Sequence, residues 1–110
     1  MVDHVSTVLE PFVRRGLFAN AEQAVVEMAR DYVLRQIEHH QSVIENLQSK
    51  HGMNYEQFNA YLKSRAATLS AAPNRSLNQA VMDEEEDALD WKIANEMLKA
   101  WLGLQSEVGK

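Results

Sequence analysis

Apolar residues recur along most of this chain at steps of three and four, the period of one face of an α-helix rather than the alternation of a strand. The first run, Val5, Val8, Leu9 and Phe12, predicts a helix over residues 3 to 15. Pro11 falls inside it, where it removes a hydrogen bond and crowds the carbonyl four residues back. The helix is therefore expected to kink there; a start near Leu9 or Glu10, with Pro11 in the first turn, is the other solution. A second run, Val26, Ala29, Val33, Ile37, His40, Ile44, Leu47 and His51, keeps close to a heptad rhythm and predicts a helix from Ala21 to His51. At 1.5 Å per residue that helix is about 45 Å long. Tyr55, Phe58, Leu62, Ala66 and Leu69 share one face of a third helix. Leu89, Ile93, Met97, Leu98, Trp101 and Leu102 mark one side of a last helix from Asp87 to Leu102, closed by Gly103, with Trp91 off that line.

The polar punctuation between these runs is consistent. In RRGLFANAEQAV, Gly16 suits the left-handed residue that closes a helix, and Leu17 is placed to fold back on the last turn. Asn20 then caps the next helix, with Gln23 reaching back to the cap's own amide. The same grammar returns at Gly52, Asn54 and Gln57, where Met53 is set to pack on Phe58 as a hydrophobic staple. Its repetition predicts an antiparallel helical hairpin. The small and polar residues of SAAPNRS, Ser70 to Ser76, read as a linker around Pro73. Ser76 with Gln79 forms a third capping box, Leu77 to Met82 a short helical turn, and DEEED, Asp83 to Asp87, then breaks the apolar rhythm. The organisation expected is thus all-α: a helical dimerisation region over 1–69, a linker over 70–76 and an acidic, tryptophan-containing helical segment over 77–110.

Composition narrows the function classes. The 110 residues are 45% hydrophobic and 25% charged, ordinary for one folded domain. Four Gly and two Pro are too few for a turn-rich sandwich or barrel. Cysteine is absent, which removes disulfide frameworks, thiolate metal sites and cysteine nucleophiles together. No signal-like opening and no apolar stretch of membrane-spanning length is read, so a soluble, cytoplasmic protein without a membrane partner is expected. The net charge of −5 repels nucleic acid, so any DNA contact has to be local.

The candidate chemistry is thin. His39, His40 and His51 lack the spacing of a helical metal site, since no two of them are four residues apart and no glutamate stands three before a histidine. His40 lies on the apolar seam and is read as a polar register-setter between two copies. No nucleophile–base pair, glycine-rich phosphate loop or calcium loop is present, so neither catalysis nor a cofactor is expected. The long second helix exposes more apolar seam than a small monomer covers, so its distal half is expected to pack on another helix or on a second copy, and a homodimer joined along Val33, Ile37, His40, Ile44 and Leu47 is predicted. The acidic run is read as a solvated helix start or, with the tryptophans near it, as a surface for a basic protein partner that meets Asp83, Glu84, Glu85, Glu86, Trp91 and Trp101.

FVRRGLFANAEQAVVEMARDYV, with the run from Leu9 to Leu47 around it, resembles the two helices of ribbon-helix-helix proteins, the fold of many bacterial repressors and antitoxins. KHGMNYEQFNAYL, Lys50 to Leu62, is similar to the tail of antitoxins with an extended second helix. The resemblance implies a dimer that binds a toxin through its C-terminal segment. It also implies a helix N-terminus at Asn20 and Ala21 that can hold a DNA phosphate. Members of that family read bases with a strand ahead of the first helix, paired across the dimer as a ribbon. Only MVDHVSTV is available for it here, and the spacing of Val2, Val5 and Val8 is not that of a strand. An antitoxin-like partner protein, weak on DNA alone, is the function expected; a self-associating helical scaffold and a DNA-binding regulator are the alternatives.

Overall fold

The computed structural model describes residues 4–71 and 75–108, all of them in helices or the short turns between. Four helices follow in order: α1 (His4–Arg14), α2 (Ala21–His51), α3 (Tyr55–Ala71) and α4 (Arg75–Val108). The all-α class read from the sequence holds. α1 carries Pro11 inside it and includes residues 4 to 8, so that part of MVDHVSTV is helix rather than strand, while Met1, Val2 and Asp3 lie outside the described residues.

The predicted turns are largely built as expected. Gly16 has φ 76°; its N–H donates to the Val13 carbonyl (3.0 Å) and that of Leu17 to the Phe12 carbonyl (3.0 Å), the paired bonds of a Schellman closure. Leu17 itself stays 63% exposed, and Phe18 takes the contact instead, its ring 6.3 Å from that of Phe12. Asn20 Oδ1 accepts from the Gln23 N–H at 2.7 Å. The Gln23 amide does not reach back, however; it donates to Glu27 at 2.8 Å. At the second junction the box is reciprocal: Gln57 N–H donates to Asn54 Oδ1 (2.8 Å) and Asn54 N–H to Gln57 Oε1 (2.9 Å). Gly52, at φ 62°, closes α2 with its N–H on the Gln48 carbonyl at 2.7 Å.

Beyond Ala71 the structure departs from the sequence reading. α4 begins by Arg75 and runs 34 residues without a break. Ser76 therefore lies within the helix, DEEED does not interrupt it, and Gly103 does not end it. Of the expected linker, Ala72, Pro73 and Asn74 lie outside the described residues. Glutamate is a good helix former, and an interior glycine costs only about 1 kcal/mol, which tertiary packing overrides.

That packing comes from α4, the main partner of both α2 and α3. His51 meets Asp87, Leu47 shares a cluster with Trp91, and Arg30 and Val33 line the same groove as Gln105 and Val108. One heptad up α2 is thus one heptad down α4, an antiparallel coiled coil within a single chain. α3 is also antiparallel to α4, with Phe58 against Trp91 and Arg65 against Glu84. The expected hairpin of the second and third helices is not what forms; those two run in series, and α4 folds back along both. The result is a rod of 70 × 27 × 24 Å with a radius of gyration of 21.9 Å, against about 13 Å for a compact chain of this length.

Candidate interaction site

The structure uses α4 in two ways, one on each side. Reading along Ala80, Glu84, Asp87, Trp91, Ala94, Leu98, Trp101, Gln105 and Val108 gives alternating steps of four and three, the heptad seam that faces α2 and α3. Trp91 and Phe58 are its largest fully buried side chains, and with Leu47 they form the core cluster. Met53 packs against this cluster, as the staple predicts, and so do Val43 and Ile44. The rings interlock: Phe58 lies 5.6 Å from Trp91 and Tyr55 5.7 Å from Trp91, while His51 stacks on Phe58 at 4.1 Å.

Polar groups close the same junction. Asp87 Oδ2 lies 2.6 Å from Lys50 Nζ and 2.8 Å from His51 Nε2. Burial pushes the Asp87 carboxyl up, and the hydrogen bonds and charge of Lys50 and His51 more than offset that, so it sits below the usual carboxylate range. Lys50 is raised by its bond to Asp87. One helical turn toward the start of α4, Glu84 Oε1 takes Arg65 at 2.8 Å, and Arg65 also meets the Tyr61 hydroxyl and lies 5.6 Å from its ring centre. Glu84 Oε2 and Trp101 Nε1 are buried without partners.

This placement revises the expected site residues. Val33, Ile37 and Leu47 were expected to meet a second copy, but α4 of the same chain buries them, and His40 and Ile44 are half-buried on that seam. His40 lines a groove of about 260 Å³ with His39, Val43, Asp90, Ile93 and Ala94. Burial, and then the charge of His39, lowers its pKa, which favours the neutral imidazole. It lines a groove between two helices of one chain, together with the small Ala94. Trp91, expected to grip a partner, is 1% exposed and is core. Glu84 is bonded to Arg65, and Trp101 is half-buried with its ring edge-on to Tyr32 at 5.8 Å. Asp83, Glu85 and Glu86 do face solvent. Asn20 already spends its side-chain oxygen on the Gln23 amide, and Ala21 is half-buried beside it.

A second side of α4, next to the seam and bordering the groove of His39 and His40 at Ile93, carries exposed apolar residues. Met82 (62%), Leu89 (56%), Ile93 (47%), Met97 and Leu104 are all exposed, as is Leu102 on another side of the helix. The last-helix stripe read from the sequence had mixed the two faces: Leu98 and Trp101 belong to the seam, and Leu89, Ile93 and Met97 to the outer side. Lys50, His51, Arg65 and Asp87 were not singled out as site residues. Counting back from Trp101 by threes and fours reaches Asp87 and Glu84, and that register is the signal that locates them once DEEED is read as continuous helix.

Among the described residues no group of three or more His, Asp or Glu is placed to hold a metal ion, and no helix is long and apolar enough to cross a membrane. Compared with known proteins, the chain matches no family model, no curated protein and no solved structure.

Proposed function

We propose that this protein is a non-catalytic, self-associating helical scaffold whose working surface is the outer side of α4. The observation that carries this reading is a helix apolar on two sides, one already packed on α2 and α3 and the other exposed at Met82, Leu89, Ile93, Met97 and Leu104. Monomeric proteins rarely leave this many large apolar side chains along one side of a helix in water. The polar junction of Lys50, His51 and Asp87 is spent on holding helices together, which supports a structural rather than a chemical role. The test is association: sedimentation equilibrium at micromolar concentration is expected to give twice the 12.5 kDa chain mass. Ile93→Asp, which sets a charge in the stripe, is expected to give monomers of unchanged helicity. A wild-type chain that is still monomeric at tens of micromolar refutes the scaffold.

A second reading is the antitoxin-like one, favoured by the exposed Asp83, Glu85 and Glu86 between Met82 and Leu89. These acids would rim a contact with a basic partner. Such a complex is expected to weaken with salt and with Glu85→Gln and Glu86→Gln, and binding indifferent to both refutes it.

A further inference from the structure

The outer stripe of α4 has an internal symmetry. Leu89 and Met97 lie four residues before and after Ile93, and Met82 and Leu104 lie eleven before and after it. At about 100° per residue, displacements of four and eleven return to within about 40° of the starting direction, so all five share one face. A stripe of equal spacing about its middle residue presents the same pattern when the helix is turned end over end. That is the requirement for an isologous contact, in which each patch meets its own copy.

The charges beside the stripe obey the same symmetry. Glu85, Lys92, Glu96 and Lys99 follow one another along one flank, all exposed. None of the ion pairs among the described residues uses any of the four. Turning a second copy antiparallel about Ile93 brings Glu85 opposite Lys99 of that copy, and Lys92 opposite Glu96, each within two residues of level. Opposite signs meet at these four crossings, while Lys92 also lies two residues from level with Lys92 of the second copy. The other flank, which carries Asp90, faces the groove lined by His39 and His40 of α2, and Ile93 borders that groove.

The exposed area is sufficient for such a contact. The chain exposes 8035 Å², where a compact monomer of its mass would expose about 6,200 Å², an excess of roughly 1,800 Å². A standard interface takes about 800 Å² from each partner.

We propose that a second copy of this chain docks antiparallel on α4, with the two-fold axis at Ile93, Leu89 against Met97 of the second copy, Met82 against its Leu104, and Glu85–Lys99 and Lys92–Glu96 ion pairs along one flank. This rests on the self-association reading above and adds its geometry. The chain has no cysteine, so single cysteines report cleanly. The Ile93→Cys variant is expected to cross-link to itself on mild oxidation, whereas Leu102→Cys, exposed on another side of α4, is not. Glu85→Lys and Lys99→Glu are each expected to weaken dimerisation at least about five-fold, since each removes two favourable ion pairs, one on either side of the two-fold axis, and sets two like-charge contacts in their place. The double swap is expected to restore it to within about two-fold. A dimer in which the Ile93→Cys variant does not cross-link, or does so no faster than Leu102→Cys, overturns the geometry and leaves the scaffold standing. Failure of the double swap to restore association does the same. A chain that stays monomeric overturns both.

Discussion

Replacing Trp91 by alanine tests the packing on which everything else depends. Trp91 is 1% exposed and lies among Leu47, Tyr55 and Phe58, so it joins α2, α3 and α4 at one point. A tryptophan buries about 150–250 Å². At about 25 cal/mol per Å² its removal forfeits roughly 4–6 kcal/mol of transfer energy, an upper figure because the unfolded chain already hides part of that area. Tryptophan-to-alanine changes in cores cost about 3–5 kcal/mol, so the two routes meet near 4 kcal/mol. Against a total stability of about 5–15 kcal/mol that is a severe loss, equivalent to a melting point lower by about 15 °C. The assay is urea unfolding followed by circular dichroism in dilute protein, so that association adds little to the apparent stability. Leu89→Ala, two residues away but 56% exposed, is the control and is expected to cost less than about 1 kcal/mol. Were Trp91→Ala to cost less than Leu89→Ala, α4 would be turned with its other side inward, and both the seam and the outer stripe would have to be reassigned.

Two further outcomes follow from single contacts. The folded Asp87 carboxyl lies below its unfolded value of about 3.9, so its contribution is present above about pH 4 and is lost as pH falls through the folded pKa. Asp87→Asn is therefore expected to flatten the decline in melting temperature below about pH 4, and an acid limb of unchanged slope counts against the Lys50–Asp87–His51 junction. Gly103 lies inside α4 with no neighbouring atom near an added Cβ, so Gly103→Ala is expected to stabilise by about 0.5–1 kcal/mol. Gly52→Ala meets equally open space but a φ of 62°, and it is expected to destabilise by about 1 kcal/mol; thermal melts showing the same sign for both would refute the assignment of one glycine to a helix and the other to its cap.

Local order was legible in the sequence wherever neighbouring residues decide it. Gly16 and Gly52 close helices because each sits where the backbone needs positive φ, and Asn20 and Asn54 open the next ones because a free amide lies within reach. The long second helix, with its apolar seam, follows from a three-four rhythm carried by residues close in sequence. What covers that seam does not. Val33, Ile37 and Leu47 have the same pattern whether a second copy or the chain's own α4 lies on them, and only the fold-back after Ala71 chooses α4. The same holds for α4. A helix with apolar residues on two sides has two possible seams, and periodicity alone does not rank Trp91 above Leu89. Tertiary packing ranks them, because α2 and α3 together offer Leu47 and Phe58 as a pocket for an indole, and because Asp87 and Glu84 find Lys50, His51 and Arg65 only in that register. Most helices and their ends could be read directly, since those rest on interactions within a few residues. Which side of each helix is core and which is left exposed was settled by contacts between residues far apart in the chain, as Arg65 is from Glu84 and Val33 from Val108, where hydrophobic burial is gained only once the whole chain has folded.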